Sequence, residues 1–561
     1  MLAMTKRGRG QGRGAPYYSA LVPTETETPA TPPAEPTRRT RGLARNTAIF
    51  SIATGLSRIA GLVREVIASS YFGTSGAFSA FTIAFQVPNL VRSLFADAAL
   101  SAAFVPVFME HIAHGRRRDA ARLASTLLFV MLAALGALTA FFIVFAGVIM
   151  PLFTGDTFTA QLDQLTIGLS RVLFPIVLLL GINGLVVGIL NSYEHFAIPA
   201  IAPLVWNVVI VVVLVAIKPL FHGDNEMYAY AIGVLAGTTV QLLMSVPMLP
   251  RVGFHFEWAF DWRDPHVTRV FRLMLPVTIG LGVINFDLLI NSSLGTLVSA
   301  EAPRAIDAAF RIYMLPQGMF SVALATVLFP TLSRFAANHD LPGLRRTMAS
   351  GARQIYLLLI PAAVFTAVLA TPITRLVYQR GDFDAHSTEL VSSALLWFSF
   401  SLPFAGVNLL LTRTFFSLQR PWVPTALAVG NMAINVAVSV ALYKPLGIPG
   451  LVLGTVAGNV AMTIGQTWRL RDLLEGSLEG RRTLTAVLQM LAASALLGLV
   501  AFGVWWGLDD LLGRSLPAQI ISVGAALAAS VAVYTAAVLA MGIPEARQIR
   551  ALIAGRLKRG G

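Results

Sequence analysis

The chain has 561 residues, 56% hydrophobic and only 12% charged, with a mean hydropathy of +0.71. A soluble chain carries roughly 25% charged residues, so this one cannot cover a water-facing surface and is expected to be an all-α polytopic membrane protein. Its net charge of +14 does not imply nucleic acid, because the arginines lie scattered between apolar runs and form no patch. The absence of cysteine excludes disulfides and thiolate metal sites.

Residues 1–46 are rich in Arg, Pro, Thr and Gly and carry Glu25, Glu27 and Glu35. No apolar stretch comes after the first basic residues, so this segment reads as a disordered cytoplasmic tail and not as a signal peptide. Arg38, Arg39, Arg41 and Arg45 then anchor the first span on the inner side.

Fourteen apolar segments are long enough to cross about 30 Å of hydrocarbon. They cover 47–72, 78–110, 122–152, 162–192, 198–219, 227–249, 268–299, 304–334, 353–377, 387–418, 422–443, 449–468, 483–507 and 517–542. Prolines interrupt the second, eighth and tenth (Pro88, Pro106, Pro316, Pro330 and Pro403). Such prolines bend a membrane helix without ending it where neighbours satisfy the freed carbonyls.

Connections after even-numbered spans hold arginine clusters: Arg116 to Arg118 with Arg122; Arg251, Arg263, Arg269 and Arg272; Arg345, Arg346 and Arg353; Arg469, Arg471, Arg481 and Arg482. Connections after odd-numbered spans hold only Lys218, Arg304, Arg380, Lys444 and Arg514, with acids such as Asp156, Asp509 and Asp510. By the positive-inside rule both termini are cytoplasmic, and the basic tail of Arg547 to Arg559 agrees.

An internal echo sets the domains. Asn191 through Pro199 to Asn207 reads like Phe416 through Pro424 to Asn431, and Phe104-Val105-Pro106 like Leu328-Phe329-Pro330, in both cases about 225 residues apart. This predicts two parallel, pseudo-symmetric six-helix lobes, at 47–250 and 251–472. Two C-terminal helices occupy 473–543, and 544–561 is a second basic tail.

Several spans carry charge. The first contains Ser57-Arg58 and Arg64-Glu65, with Arg58 near mid-membrane and Arg64 in the outer half. The second contains Pro88-Asn89-Leu90-Val91-Arg92 and then Asp97, and the eighth contains Asp307 and Arg311. Each such charge costs about 2.5–3.5 kcal/mol on insertion scales, so the arginines together cost on the order of 10 kcal/mol. Glu65, Asp97 and Asp307 compensate only in part, and the surplus cation calls for an anion. The competing reading pairs Arg58 with Glu65 on one helical face and lets Arg64 and Arg311 snorkel to an interface. Guanidinium suits phosphate because its planar fork donates two parallel hydrogen bonds and keeps its proton.

These residues resemble the MurJ (MviN) lipid II flippase family of the MOP exporter superfamily. The likeness rests on Ser57-Arg58 to Arg64-Glu65, Val87 to Arg92, Ala103 to Pro106, Leu328 to Ser333, Tyr378 to Phe383 and Arg413 to Gln419. It implies a flippase, not an enzyme, that moves lipid II (undecaprenyl diphosphate bearing disaccharide-pentapeptide) across the bacterial plasma membrane by alternating access. Arg58, Arg64, Arg92 and Arg311, with Asn89, would face a central cavity and hold the diphosphate, and the last two spans would form a groove for the polyprenyl tail. Membrane lipids and cell-wall synthesis proteins are the implied partners. Two positions depart from the family pattern: acids common there appear here as Ser79 and Phe310. Some members bind sodium between spans seven, eleven and twelve, where this chain has Asp287, Asn431, Asn435 and Thr455; interhelical hydrogen bonding is the alternative. A membrane potential, worth about 2.3 kcal/mol per charge per 100 mV, is another energy source.

The neighbouring reading is an exporter of drugs or another polyprenyl-linked saccharide within the same superfamily. An enzyme acting on polyprenyl lipids would need a nucleophile or metal site. The histidines (His111, His114, His222 and His386 among them) have no ligand spacing.

Overall fold

The computed structural model describes residues 38–95, 98–476 and 478–547; within these, the side chains of 38–52, 92–95, 98–102 and several positions between 276 and 285 are not described. The two expected tails therefore lie almost wholly outside the described residues, as does Asp97. The chain divides into two units, Met1–Ala48 and Ile49–Gly561. Of the former only the first turns of a helix are described; the cores and polar clusters all belong to the latter.

All regular structure among the described residues is helical. The first seven expected spans comprise α1 (Arg38–Phe72), α2 (Gly76–Phe95), α3 (Ala98–Ala113), α4 (Arg117–Ile149), α5 (Ala160–Leu173), α6 (Pro175–Ser192), α7 (Ala197–Ile217), α8 (Met227–Ser245), the short α9 (Met248–Arg251) and α10 (Pro265–Gly295). The second seven comprise α11 (Ala302–Pro316), α12 (Val322–Ala337), α13 (Leu341–Val368), α14 (Ala370–Tyr378), α15 (Ala385–Ser417), α16 (Trp422–Leu446), α17 (Ile448–Leu473), α18 (Gly480–Leu512) and α19 (Leu516–Ala540). Among the described residues, eleven stretches are long and apolar enough to cross a bilayer. The segments expected at 47–72, 78–110 and 268–299 are α1, the α2–α3 pair and α10.

The prolines act in different ways. Pro88, Pro106 and Pro403 sit inside α2, α3 and α15, which continue through them. Pro316 instead ends α11, and one turn of π-helix, Gln317–Ser321, joins it to α12. A wide turn of this kind absorbs the hydrogen bond that proline cannot donate. Helices of 33 residues, such as α4, α15 and α18, are about 50 Å long at 1.5 Å per residue. They exceed the hydrocarbon thickness and tilt or project beyond it.

Buried apolar side chains gather in two large cores, one drawn from Ala68 to Leu289 and one from Ala302 to Leu474. The helix α10, expected to open the second lobe, gives Val267, Val270, Met274 and Leu289 to the first core. A third, smaller core joins Leu357 and Ile360 of α13 to Met490 and Leu497 of α18 and Tyr534 of α19. Two polar contacts reinforce that seam: Tyr534 donates to the Leu357 carbonyl at 2.8 Å, and buried Arg353 is ion-paired with Glu479, at 2.9 Å, and with Glu545.

Candidate functional site

The charged side chains of α1 and α11 converge. Arg304, Asp307 and Arg311 are spaced three and four residues apart, which puts them on one face of α11. That face meets Arg64 and Glu65. Glu65 Oε1 lies 2.6 Å from Arg304 Nη2 and 3.3 Å from Arg311 Nε, and Glu65 Oε2 lies 3.7 Å from Arg64. Asp307 is 2.9 Å from Arg304 and 2.8 Å from Arg311. Three guanidiniums against two carboxylates leave one positive charge in excess.

The three arginines differ in access. Arg304 is 1% exposed, with its guanidinium 3.8 Å from the centroid of Phe78 and donating to Ser69 Oγ at 2.7 Å. Arg64 is buried against the face of Trp206, and its Nε has no hydrogen-bond partner among the described residues. Arg311 leaves 40% of its side chain exposed.

Several expectations change here. Arg64 does not snorkel; it is held inside. Glu65 pairs with Arg64, Arg304 and Arg311, not with Arg58, whose residue is exposed and makes no ion pair among the described residues. Asn89 is half-buried on α2, and the side chain of Arg92 lies outside the described residues. The span boundaries place Arg304 among the loop cations, yet it is the most buried member of the cluster. Its signal is legible as the spacing Arg304-x-x-Asp307-x-x-x-Arg311. Ser79 accepts the Arg304 backbone N–H at 3.2 Å. Phe310 packs its ring against Tyr313 and Phe398.

A second polar group joins α10, α16 and α17. Asn435 donates to Asp287 at 2.8 Å and to Asn291 Oδ1 at 3.1 Å, while Asn291 donates to Thr455 at 3.4 Å. Ser439 donates to Asn435 Oδ1 at 3.1 Å. The side-chain oxygens thus accept hydrogen bonds from neighbouring amides and hydroxyls, so the set as arranged is an interhelical network. Asn431 is directed at Met462 of α17. Asn291 and Ser439 are the members that sequence reasoning misses.

An apolar cavity of about 510 Å³ opens between α13, α15 and α18, lined by Met348, Ala352, Tyr356, Pro403, Val407 and Val487 among others. Of the two C-terminal helices only α18 lines it. α19 packs behind α18, with Ser530 and Leu497 in contact.

At the end of the molecule away from the arginine-rich loops, the α1–α2 turn meets the loop before α15. Asp382 donates its backbone N–H to the Ser70 carbonyl at 2.9 Å, and Thr74 donates to Ser387 Oγ at 2.9 Å. Gly73 and Gly381, both with φ near +60°, face this contact. A Cβ on Gly73 would lie 2.5 Å from the Asp382 carbonyl oxygen, and one on Gly381 2.2 Å from that of Ser70. Asp384 caps α15, and the Ser387 backbone N–H donating to it holds its carboxyl below the usual carboxylate range.

Residues 68–543 match the family model described as lipid II flippase MurJ. A lipid II flippase MurJ of Burkholderia cenocepacia is 31% identical over 68% of this chain and 74% of its own length. A probable lipid II flippase MurJ of Vibrio cholerae is 30% identical over 70% and 76%. Among solved structures, a lipid II flippase MurJ in an inward closed conformation superposes with a TM-score of 0.73 at 20% identity, over 88% of this chain and 99% of that one. An inward-facing MATE family transporter of the MOP superfamily gives 0.62 at 16% identity, over 75% and 95%. These two likenesses concern the fold.

Proposed function

This chain belongs to the lipid II flippase MurJ family, and we propose that the cluster of Arg64, Arg304 and Arg311 with Glu65 and Asp307 is where it receives the diphosphate of its substrate. The protein is a membrane transporter of lipid II and not an enzyme. One observation carries the assignment of the site: an exposed arginine, Arg311, and a buried one with an orphan donor, Arg64, share a carboxylate in a cluster with one uncompensated positive charge. An arriving diphosphate supplies both the missing charge and the missing acceptor, and charge-assisted hydrogen bonds to guanidinium are the strongest available for it. Arg58 on α1 and Asn89 on α2 are the further candidates for contact with the substrate head, as is Arg92, whose side chain lies outside the described residues.

The cavity between α13, α15 and α18 takes part of the polyprenyl tail, since its lining is almost wholly apolar and its volume falls within the range of ligand pockets. In the cycle the two lobes, 47–250 and 251–472, rock about the arginine cluster, and the contact of Ser70 and Thr74 with Asp382 and Ser387 closes one end of the path. The arginine-rich loops and both termini face the cytoplasm, and that contact faces outside. Cell-wall synthesis enzymes that consume the flipped precursor are the partners of this activity.

The test is accessibility of lipid II in the outer leaflet of cells that depend on this protein alone. Arg64→Ala or Arg311→Ala is expected to abolish exposure of lipid II at unchanged protein level. Wild-type exposure in both variants would end this assignment of the site.

A further inference from the structure

The cluster contains a division of labour among its arginines that lies beyond the assignment of a diphosphate site, although it rests on that assignment. From the geometry we infer that Arg304 is a positioning residue: its guanidinium fork holds Glu65 and Asp307 in place so that Arg311 is free to exchange those carboxylates for substrate phosphate.

Arg304 is 1% exposed, with both Nη nitrogens engaged and its unpartnered Nε shut inside the cluster, so it offers substrate no open face. Nη1 lies on Asp307 and Nη2 on both Glu65 and Ser69, at 2.9, 2.6 and 2.7 Å. The face of the guanidinium rests on Phe78, and the backbone N–H is fixed by Ser79. Contacts from α1, from α2 and from its own helix thus hold one side chain.

Arg311 addresses the same two carboxylates through Nε, at 2.8 Å from Asp307 and 3.3 Å from Glu65. Its hydrogen bond to Asp307 comes from that nitrogen and not from the Nη fork, and 40% of the side chain is open. Two carboxylates are therefore shared by one immobilised cation and one that has room to move.

Without Arg304, Asp307 would be left to Arg311 alone and Glu65 to Arg311 and the more distant Arg64, because a buried carboxylate left unpaired is strongly disfavoured. Arg311 would stay clamped to them, and the five-group cluster would fall from one net positive charge to none. With Arg304 present, Arg311 leaves the acids while each keeps a partner. The role requires a fork, because one nitrogen must reach α1 while another reaches Asp307. A lysine ammonium, a point donor, cannot span both in the same geometry.

Titration of lipid II into the purified full-length protein, followed by native mass spectrometry, separates the outcomes. Arg304→Met is expected to weaken binding by tenfold or more, and Arg304→Lys to fall nearly as far. The charge-balanced Arg304→Met/Asp307→Asn, which restores one net positive charge and frees Arg311, is expected to bind within about threefold of wild type. A simple packing role would not yield that recovery. Wild-type affinity in Arg304→Met or in Arg304→Lys, alongside lost binding in Arg311→Ala, overturns the role while leaving the diphosphate site intact. A double variant that stays as weak as Arg311→Ala, or that fails to fold, overturns it as well. Equal binding by wild type and Arg311→Ala removes the site itself, and this role with it.

Discussion

Gly73 and Asp382 approach so closely that any side chain at Gly73 would strike the Asp382 carbonyl oxygen, with a Cβ 2.5 Å away. Gly381 makes the reciprocal approach to Ser70. Both glycines hold a left-handed backbone, which costs other residues roughly 1–2 kcal/mol before any clash is counted. Gly73→Ala and Gly381→Ala are therefore expected to weaken this closed contact. The readout is faster labelling of a cysteine introduced at Ser387 by a membrane-impermeant thiol reagent, and labelling at the wild-type rate would contradict it.

The same contact offers a lock. The chain contains no cysteine, and the Thr74 and Ser387 hydroxyls are 2.9 Å apart. A Thr74→Cys/Ser387→Cys variant should form a disulfide under oxidation, stop flipping, and recover on reduction. Each single variant should be unaffected by oxidant. Transport that persists in the oxidised, gel-verified crosslinked form would show that this end of the molecule need not open.

The tail cavity predicts a split phenotype. Ala367→Trp places a large ring in space lined by Val364, Phe404 and Leu491. Affinity for lipid II with its full polyprenyl chain should fall by about tenfold or more, whereas affinity for a short-chain analogue with the same diphosphate headgroup should change little. Equal losses for both ligands would place the tail elsewhere.

Arg353 makes a stability prediction. It is 2% exposed and bridges Glu479 and Glu545, and breaking a buried pair by removing one partner costs about 3–5 kcal/mol. Arg353→Met should lower the melting temperature clearly. Arg353→Met/Glu545→Gln should recover part of the loss, because one fewer carboxylate is stranded. A double variant no more stable than the single one would refute the pairing as the cause.

The helices are legible in the sequence because a membrane span is announced by length and apolarity alone, and the expected intervals differ from the observed ones mainly at their ends. The internal echo is legible in finer detail. Glu194 and Gln419, 225 positions apart, both adopt a left-handed conformation. The turns around them carry matching hydrogen bonds, His195 N–H to Leu190 and Arg420 N–H to Phe415, each 2.9 Å. Pairings between distant helices are not legible. Arg58 and Glu65 share a face by periodicity, but Glu65 is claimed by Arg304 and Arg311, which arrive from 239 and 246 residues away. Asn431 and Asn435 likewise share a face, yet among the described residues it is Asn435 that hydrogen-bonds to α10, and Asn431 is directed at Met462 of α17. Helical periodicity says which side chains travel together, and only packing says what they meet.

The π-helical turn Gln317–Ser321 bears on how the eighth span can move. Its hydrogen bonds are already widened beyond the α-helical register, and Pro316 beside it has no donor to lose. Flexing there breaks no α-helical bond that was intact at rest. A change of angle between the half of the rod that carries Arg311 and the half that carries Arg334 is therefore least costly at this turn.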